Sequence, residues 1–217
     1  MDWSDITDYA VLFSNCTKLR KIVFPENFGV NANTFESCFS TCTMIQEISL
    51  PDGCGAVATN LKHMFYSCSS LTKLSLPSGF GQNATNLRNF TYCCSSLNNL
   101  TLPDGFGSVA TDVAFLVQNC ISLISLHLPD GFGKNATDTT RAFMNARNLT
   151  TVTGNPNFKV SLTLSDCVKL THDSLMVFIN GLQVVETKQI LTLGTTLLAK
   201  LSDDEKKIAT DKGWTLA

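Results

Sequence analysis

Cysteine is the residue type whose number and spacing in this chain suggest chemistry most directly. The chain has nine cysteines, and five of them stand 26 residues apart: Cys16, Cys42, Cys68, Cys94 and Cys120. Thiols can form disulfides, bind a metal ion or act as nucleophiles. Stacked repeats would point these five side chains the same way, whereas a disulfide requires Cβ atoms that face each other. The spacing therefore predicts a column of buried free thiols that serve as small core residues.

The residues around these cysteines complete neither a metal site nor a catalytic pair. The sequence has no C-x-x-C pair with a matching second pair, and no nearby histidine supplies the rest of a tetrahedral zinc set. Cys93 precedes a column cysteine but has no evident base to activate it. The repeat spacing places the three histidines, His63, His127 and His172, far apart. We therefore expect a non-enzymatic protein with no catalytic residue, no metal site and no cofactor.

The elements that must position these residues are repeats of 26 residues. The clearest copies are C-S-S-L-T-K-L-S-L-P-S-G-F-G-Q-N-A-T-N at 68–86 and C-S-S-L-N-N-L-T-L-P-D-G-F-G-S-V-A-T-D at 94–112. The last two leucines of L-x-x-L-x-L alternate with polar residues, a pattern typical of a strand with one buried face. A proline then ends the strand because it has no N–H for the ladder, and the following Asp-Gly or Ser-Gly turn uses glycine at positive φ. A fixed period of this length predicts a solenoid.

Two aromatic clusters recur with the same period and are predicted to form the stacked core. The first is the Phe of G-F-G, which Cys54 replaces once, and the second precedes the cysteine, where a short helical turn on the back of each coil would place it. Their members are Phe28, Phe80, Phe106 and Phe132 in the first cluster, and Phe13, Met64, Phe65, Phe90, Phe115, Leu116, Phe143 and Met144 in the second. A recurring Ala-Thr pair supplies Thr59, Thr85, Thr111 and Thr137. We expect each of these threonines to cap the following turn by accepting a backbone hydrogen bond.

The pattern F-x-x-C-S-S-L-x-x-L-x-L-P resembles that of the BspA-like leucine-rich-repeat surface proteins of gut and oral bacteria. The resemblance covers about residues 11–170, and the chain departs from the usual family unit in its length and in its G-F-G turn. The resemblance implies an α/β repeat fold, a right-handed leucine-rich-repeat solenoid with a parallel β-sheet on one face. It also implies surface or adhesive roles and carries no catalytic residues. The same repeats occur in phage virion proteins, so a phage origin stays open.

The composition changes after about six repeats, at residue 170. We predict a solenoid over residues 1–170 and a small α/β C-terminal cap over residues 171–217, with a separate attachment module as the alternative. Within the second range the sequence predicts a helix between Thr171 and Gly181, followed by a strand at 189–193. A capping box, Ser202 with Glu205, then opens another helix, and residues 214–216 form a last strand. Such a cap would cover the open end of the solenoid sheet.

Charge and hydropathy exclude two classes of partner. The net charge is −2 at pH 7 and no basic stripe occurs, so we expect no nucleic acid partner. No apolar run approaches the roughly 20 residues of a membrane helix, so we expect no membrane insertion. The N-terminus is acidic and lacks the apolar region of a signal peptide. A cell-surface or secreted location therefore requires a trimmed signal or another export route, and a virion location also stays open.

The outward columns of the predicted sheet are the candidate ligand-binding surface. They include Lys21, Glu47, Lys73 and Asn99 in one column and His127 in the other. Binding hot spots favour Trp, Tyr and Arg, and these columns contain none, so a plain solvated surface is the competing interpretation. In that case recognition would use loops, the convex side or further repeats. We expect a non-catalytic binding or adhesion module of a bacterial surface or secreted protein with a protein or glycan partner, or alternatively a structural or host-recognition component of a phage virion.

Overall fold

The computed structural model describes residues 2–217 as a stack of short coils followed by a mixed C-terminal segment. Within this range the secondary structure consists of strands of two to four residues and three helices. In chain order the elements are β1 (Glu47–Ser49), β2 (Lys73–Ser75), β3 (Asn99–Thr101), β4 (Ser125–Leu128), β5 (Thr151–Gly154), β6 (Leu162–Thr163), α1 (His172–Asn180), β7 (Gln189–Thr192), α2 (Gly194–Leu198), α3 (Asp203–Asp211) and β8 (Trp214–Leu216).

Strands of successive coils pair in parallel at the period of the repeat. Leu100 lies beside Leu126, and Leu126 lies beside Val152. The second residue of each strand from β1 to β5 is buried, and the residues before and after it in the same strand face outward. The predicted parallel sheet and its register are therefore confirmed. The ladder is interrupted, however, because β1–β2 and β3–β4–β5 form separate hydrogen-bonded groups.

The first coil, residues 8–33, differs from the later ones. Lys21 and Val23 are expected in outward strand positions, but residues 19–24 form no strand. Val23 is 82% exposed, and Cys16 is exposed as well. The first coil has a neighbouring coil on one side only within residues 2–217, so its side chains lack half of the packing that later coils receive. The expectation that Cys16 is buried is therefore wrong.

The segment before each column cysteine is not helical. Its N–H groups alternate between two partners: Cys38 N–H donates to the Phe35 carbonyl within the coil, and Phe39 N–H donates to the Met64 carbonyl of the next coil at 2.9 Å. An α-helix would direct every N–H to the residue four positions earlier. Two residues per coil adopt positive φ here, for example Ser37 at 57° and Thr41 at 62°. The expected short helical turn is thus replaced by consecutive turns joined coil to coil, which we call the back ladder (residues 35–41 and their counterparts).

The G-F-G phenylalanines form a buried stack, as predicted, and Phe158 extends it by one more coil. The second glycine of each motif is required by close packing: a Cβ on Gly81 would lie 2.6 Å from a ring carbon of Phe106. The second cluster is only partly core. Phe115 is half-buried and lies under the Arg88 guanidinium, 4.7 Å from its ring centroid, and Met144 is half-buried too. Both residues belong to the back ladder, where only part of the side chains are buried: in residues 35–41, for example, Phe35, Cys38 and Phe39 are buried and the other four are not.

The column thiols have a hydrogen-bonding role. All nine cysteines are free, and the column members after the first coil are buried. Cys68 Sγ donates to the Phe39 carbonyl at 3.1 Å, and Cys94 Sγ donates to the Phe65 carbonyl at the same distance. Burial raises the pKa of Cys42 to about 11 and that of Cys120 to about 12. The thiols therefore remain protonated donors that join each coil to the one before it.

The threonine of the Ala-Thr pair does not cap a turn. Thr85 Oγ1 donates to the Thr59 carbonyl of the preceding coil at 3.2 Å. The turn is capped instead by the next residue, since Asn86 Oδ1 accepts from Arg88 N–H at 3.0 Å and Asp112 Oδ1 accepts from Ala114 N–H at 2.9 Å. Asn and Asp form such turns more readily than Thr. The prediction that the threonine caps the turn is therefore wrong, because the capping residue is the Asn or Asp one position later.

The C-terminal segment packs against the last coil through the same continuous core. The ring of Phe178 in α1 lies 5.4 Å from Phe143 and 6.2 Å from Phe158. Val152 N–H in β5 donates to Ser174 Oγ at 2.9 Å. β6, β7 and β8 form a parallel sheet in that order. β6 precedes residue 170 and pairs with β7, which follows it, so this sheet extends over both predicted regions.

Local signals in this segment are confirmed. Thr171 Oγ1 accepts from Ser174 N–H at the start of α1, and Ser202 and Glu205 form the capping box of α3. β7 and β8 lie where strands were expected, whereas α2 was not predicted. No helix in residues 2–217 has the length and apolarity needed to cross a membrane.

Candidate functional site

The outward column that contains Glu47 and Lys73 is continuous across β1 and β2. The two residues are direct register partners, and both are exposed. Their backbones are held by the buried Ile48 and Leu74, which lie beside each other in the same pair of strands. The structure thus brings opposite charges together on a fixed backbone. Exposed pairs of this kind contribute little stability, so the charges are available to a partner.

Asn99 and His127 lie on the second hydrogen-bonded group of strands. Asn99 is opposite Ser125, whose hydroxyl donates to Asn99 Oδ1 at 2.6 Å. His127 occupies the other outward column, where its Nδ1 lies 3.0 Å from Thr153 Oγ1. The outward orientation predicted for His127 is confirmed. No strand hydrogen bonds join β2 to β3, so the neutral patch and the charged pair belong to different hydrogen-bonded groups of strands.

Lys21 lies outside the strands, in the extended residues of the first coil. It borders a shallow depression of about 470 Å³ whose lining includes Arg20, Gln46 and Glu47. Lys21 is therefore close to Glu47 but not to Asn99 or His127. The candidate residues form two groups: a charged one at the start of the sheet and a neutral one further along.

The three histidines lie in different surroundings. His63 belongs to the back ladder, where its ring meets Tyr66 edge-on at 5.4 Å, and burial lowers its pKa. His127 lies on the sheet. His172 Nε2 lies 2.8 Å from Glu205 Oε1, and hydrogen bonding to this carboxylate raises the pKa of His172. Within residues 2–217 no group of three or more His, Cys, Asp or Glu side chains is arranged to hold a metal ion.

A stacked tyrosine pair on the back ladder was missed by the sequence analysis. The rings of Tyr66 and Tyr92 are 4.9 Å apart and nearly parallel, with an interplanar angle of 3°. The residues stand 26 positions apart, so the repeat period was the signal that could have found them. The sequence reasoning considered Trp, Tyr and Arg only at the outward strand columns, which contain none of them.

A charge cluster on the back ladder was also missed. Arg88 Nη1 lies 3.1 Å from Asp112 Oδ2 and 3.0 Å from Asp138 Oδ2, carboxylates of the next two coils. Hydrogen bonds to both carboxylates raise the pKa of Arg88 against the opposing effect of burial. One guanidinium is shared by two carboxylates of successive coils, so this cluster orders the surface and keeps a net negative charge.

Comparison with known families gives one match. The model described as BspA type Leucine rich repeat region matches in six copies, over residues 3–115 and 62–175. A search of curated proteins finds no match.

Proposed function

The chain belongs to the BspA-type leucine-rich repeat family, and on that premise we propose that it is a non-catalytic binding or adhesion module of a bacterial cell-surface or secreted protein. Repeats of this family are commonly surface-associated and typically lack catalytic activity. The partner in this proposal is a protein or a glycan. Neither the fold nor the family match adds support to the alternative of a phage virion component.

The observation that carries the proposal is the rigid, periodic sheet face. Buried central residues, from Ile48 in β1 to Val152 in β5, fix every strand between two outward columns. Adjacent strands of a parallel sheet lie about 4.8 Å apart, so side chains repeat at that interval along the face. A surface that is ordered before binding loses little conformational entropy when a partner docks.

Within this proposal the contact residues are Lys21, Glu47 and Lys73 at the charged end and Asn99 and His127 at the neutral end. The charged end would guide the approach of a partner and set its orientation, because electrostatic complementarity mainly governs association rate and specificity. The neutral end supplies amide and imidazole groups that both donate and accept hydrogen bonds.

The proposal takes the solenoid to be right-handed and the segment 171–217 to be its C-terminal cap. Packing of α1 and its N-cap against the last coil supports the second point, because Thr171 N–H donates to the Thr150 carbonyl and Phe178 packs on Phe143. A capped end would leave the sheet face, rather than the strand edge, as the surface offered to partners.

The experiment measures binding of the labelled chain to intact host cells, extracellular-matrix proteins and candidate bacterial cells. The test variant carries Lys21→Ser, Glu47→Ser, Lys73→Ser and His127→Ser. The matched control carries Lys134→Ser, Glu186→Ser and Lys188→Ser, which are exposed residues outside the strand columns. We expect saturable binding that the test variant loses and the control keeps.

Two results would contradict the proposal. Binding that survives in the test variant would move recognition to another surface. No saturable binding of the parent chain to any of these targets would indicate a structural or spacer role.

A further inference from the structure

A shallow groove runs across several coils on the segment between the back ladder and the strands. Its volume is about 470 Å³. One wall consists of the last residue of each back-ladder segment. The other wall consists of the residues two positions later, each of which directly follows a column position. Lining residues include Ser67, Asn119 and Asn145 on the first wall and Ser95, Ile121 and Arg147 on the second. We call this feature the side groove; it shares no residue with the proposed sheet-face site.

The first wall of the side groove is held by a chain of side-chain hydrogen bonds. Asn145 Nδ2 donates to Asn119 Oδ1 at 2.8 Å, and Asn119 Nδ2 donates to Cys93 Sγ at 3.3 Å. Arg147 Nη2 donates to Asn145 Oδ1 at 2.9 Å. These contacts fix the amides of successive coils in one orientation. The wall is therefore ordered before any ligand arrives, which lowers the entropic cost of binding.

The tyrosine pair adjoins this wall. Tyr66 precedes Ser67 and Tyr92 precedes Cys93, so the half-buried tyrosine pair borders the first wall along the chain. Next to Tyr92 in the following coil is Gln118, which is only 6% exposed and whose Oε1 has no hydrogen-bond partner within residues 2–217. The side groove thus has an aromatic border, whereas the Gln118 acceptor is buried behind the wall and is not part of the lining.

The backbone of the groove excludes recognition of a peptide by strand addition. Ser67 N–H donates to the Tyr92 carbonyl at 2.7 Å, and Asn119 N–H donates to the Met144 carbonyl at 2.9 Å. The main-chain groups of this wall are therefore already paired coil to coil. A peptide that adds a strand requires a free row of such groups.

The side chains of the groove favour a neutral ligand. Six of the nine lining residues are Ser, Thr or Asn, whose hydroxyl and amide groups both donate and accept hydrogen bonds. The exposed surface between these groups is mainly apolar. Arg147 is the one charged side chain there, and its guanidinium is engaged by Asn145. A polyanion would find too little positive charge, whereas a polyhydroxylated ligand finds hydroxyl and amide groups along both walls and apolar surface between them. Tyrosine and isoleucine supply apolar surface for the faces of sugar rings.

We propose that the side groove binds a neutral linear glycan that runs along the stack of coils. Successive coils present similar hydrogen-bonding groups at intervals of about 4.8 Å, so a polymer with its own repeat can engage several coils at once. This site is independent of the sheet face and holds whether or not that face binds a partner.

The test measures binding of the full chain to a panel of neutral tetra- to octasaccharides of glucose, mannose and N-acetylglucosamine, by calorimetry. Ser95→Trp places a large side chain in the groove. Ile121 and Arg147 occupy the same position in the next two coils, so the fold accommodates a larger side chain there. Ser49→Trp is the matched control, at an outward position of β1. Tyr92→Ala removes the aromatic border. We expect binding that weakens at least tenfold in Ser95→Trp and Tyr92→Ala and is unchanged in Ser49→Trp, with the thermal melting of Ser95→Trp like that of the parent.

Several results would overturn this assignment. Absence of binding across the panel would do so, as would binding that Ser95→Trp leaves intact. Loss in Ser49→Trp alone would place the glycan on the sheet face, which would support that site and refute this one. Ser95-dependent binding of a protein target that persists after enzymatic removal of its glycans would identify a protein ligand instead.

Discussion

The packing of G-F-G glycines against the next coil makes a quantitative prediction about Gly107→Ala. Gly107 has φ of 71°, and a Cβ there would lie 2.6 Å from two ring carbons of Phe132 and 3.2 Å from a methyl carbon of Leu87. The left-handed backbone costs a non-glycine residue about 1–2 kcal/mol. Forcing an extra carbon into a close-packed core costs about 1–3 kcal/mol more. We expect Gly107→Ala to lower the free energy of unfolding by about 2–5 kcal/mol.

The chain offers a control that separates the two costs. Gly131 has a nearly identical φ of 73°, but a Cβ there meets no atom within 4 Å. Gly131→Ala therefore pays only the backbone cost of about 1–2 kcal/mol. The difference between the variants isolates the contact with the Phe132 ring, about 1–3 kcal/mol. Any effect of alanine on the unfolded chain is shared by both variants and cancels.

The assay is urea denaturation followed by circular dichroism, with both variants and the parent at equal concentration. Unfolding midpoints and slopes give the free energies by linear extrapolation. Equal destabilisation of the two variants, within about 0.5 kcal/mol, would refute the argument that the next coil's phenylalanine requires glycine. A larger loss in Gly131→Ala would show that the turn, and not the core contact, limits stability.

Three further predictions follow from burial and charge. A thiol reagent should label exposed Cys16 and half-buried Cys93 in the native protein and the other cysteines only after denaturation; rapid native labelling of all nine would contradict the buried column. Leu100→Asp should unfold several coils in one transition, because Leu100 is 1% exposed and an unpaired buried charge is severely destabilising; an unchanged melting curve would refute the strand register. The contact between His172 and Glu205 raises the pKa of His172 and lowers that of Glu205 in the folded protein. The stability that His172 contributes is therefore complete below the pKa it has in the unfolded chain, and it is lost as the pH rises through the pKa it has in the folded protein. His172→Gln should therefore melt below the parent at about pH 5.5 and with it at about pH 8.5, and an equal difference at both values would contradict the ion pair with Glu205.

Local features of the fold were predictable from the sequence because their causes are local. Proline after each strand, glycine at the turn and the caps at Thr171 and Ser202 depend on a few neighbouring residues. The structure has each of them where it was expected. α2 was missed because its first residue is a glycine and no side chain caps it.

The candidate sites were less accessible to sequence reasoning. Period and alternation predicted which residues face outward on the sheet, including His127, but not that the ladder breaks between β2 and β3. The five proposed contact residues remain a prediction. The side groove and the tyrosine pair depend on the back ladder, where two residues per coil adopt positive φ without being glycine. Asparagine and histidine are enriched in that conformation, as at Asn89 and His63, but no propensity rule expects serine, threonine or cysteine there.

The sequence by itself determined the period, the parallel stacking and the buried strand positions, because a repeat of constant length can bury its apolar face only against its own neighbours. The tertiary structure alone decided where the polar groups of each coil find partners. The thiol of Cys94 reaches a carbonyl 29 residues earlier, and the N–H of Phe39 reaches one 25 residues later. Such contacts exist only once coils are stacked. The surfaces that can bind a partner arise from them, since the same hydrogen bonds that close the backbone decide which side chains turn outward.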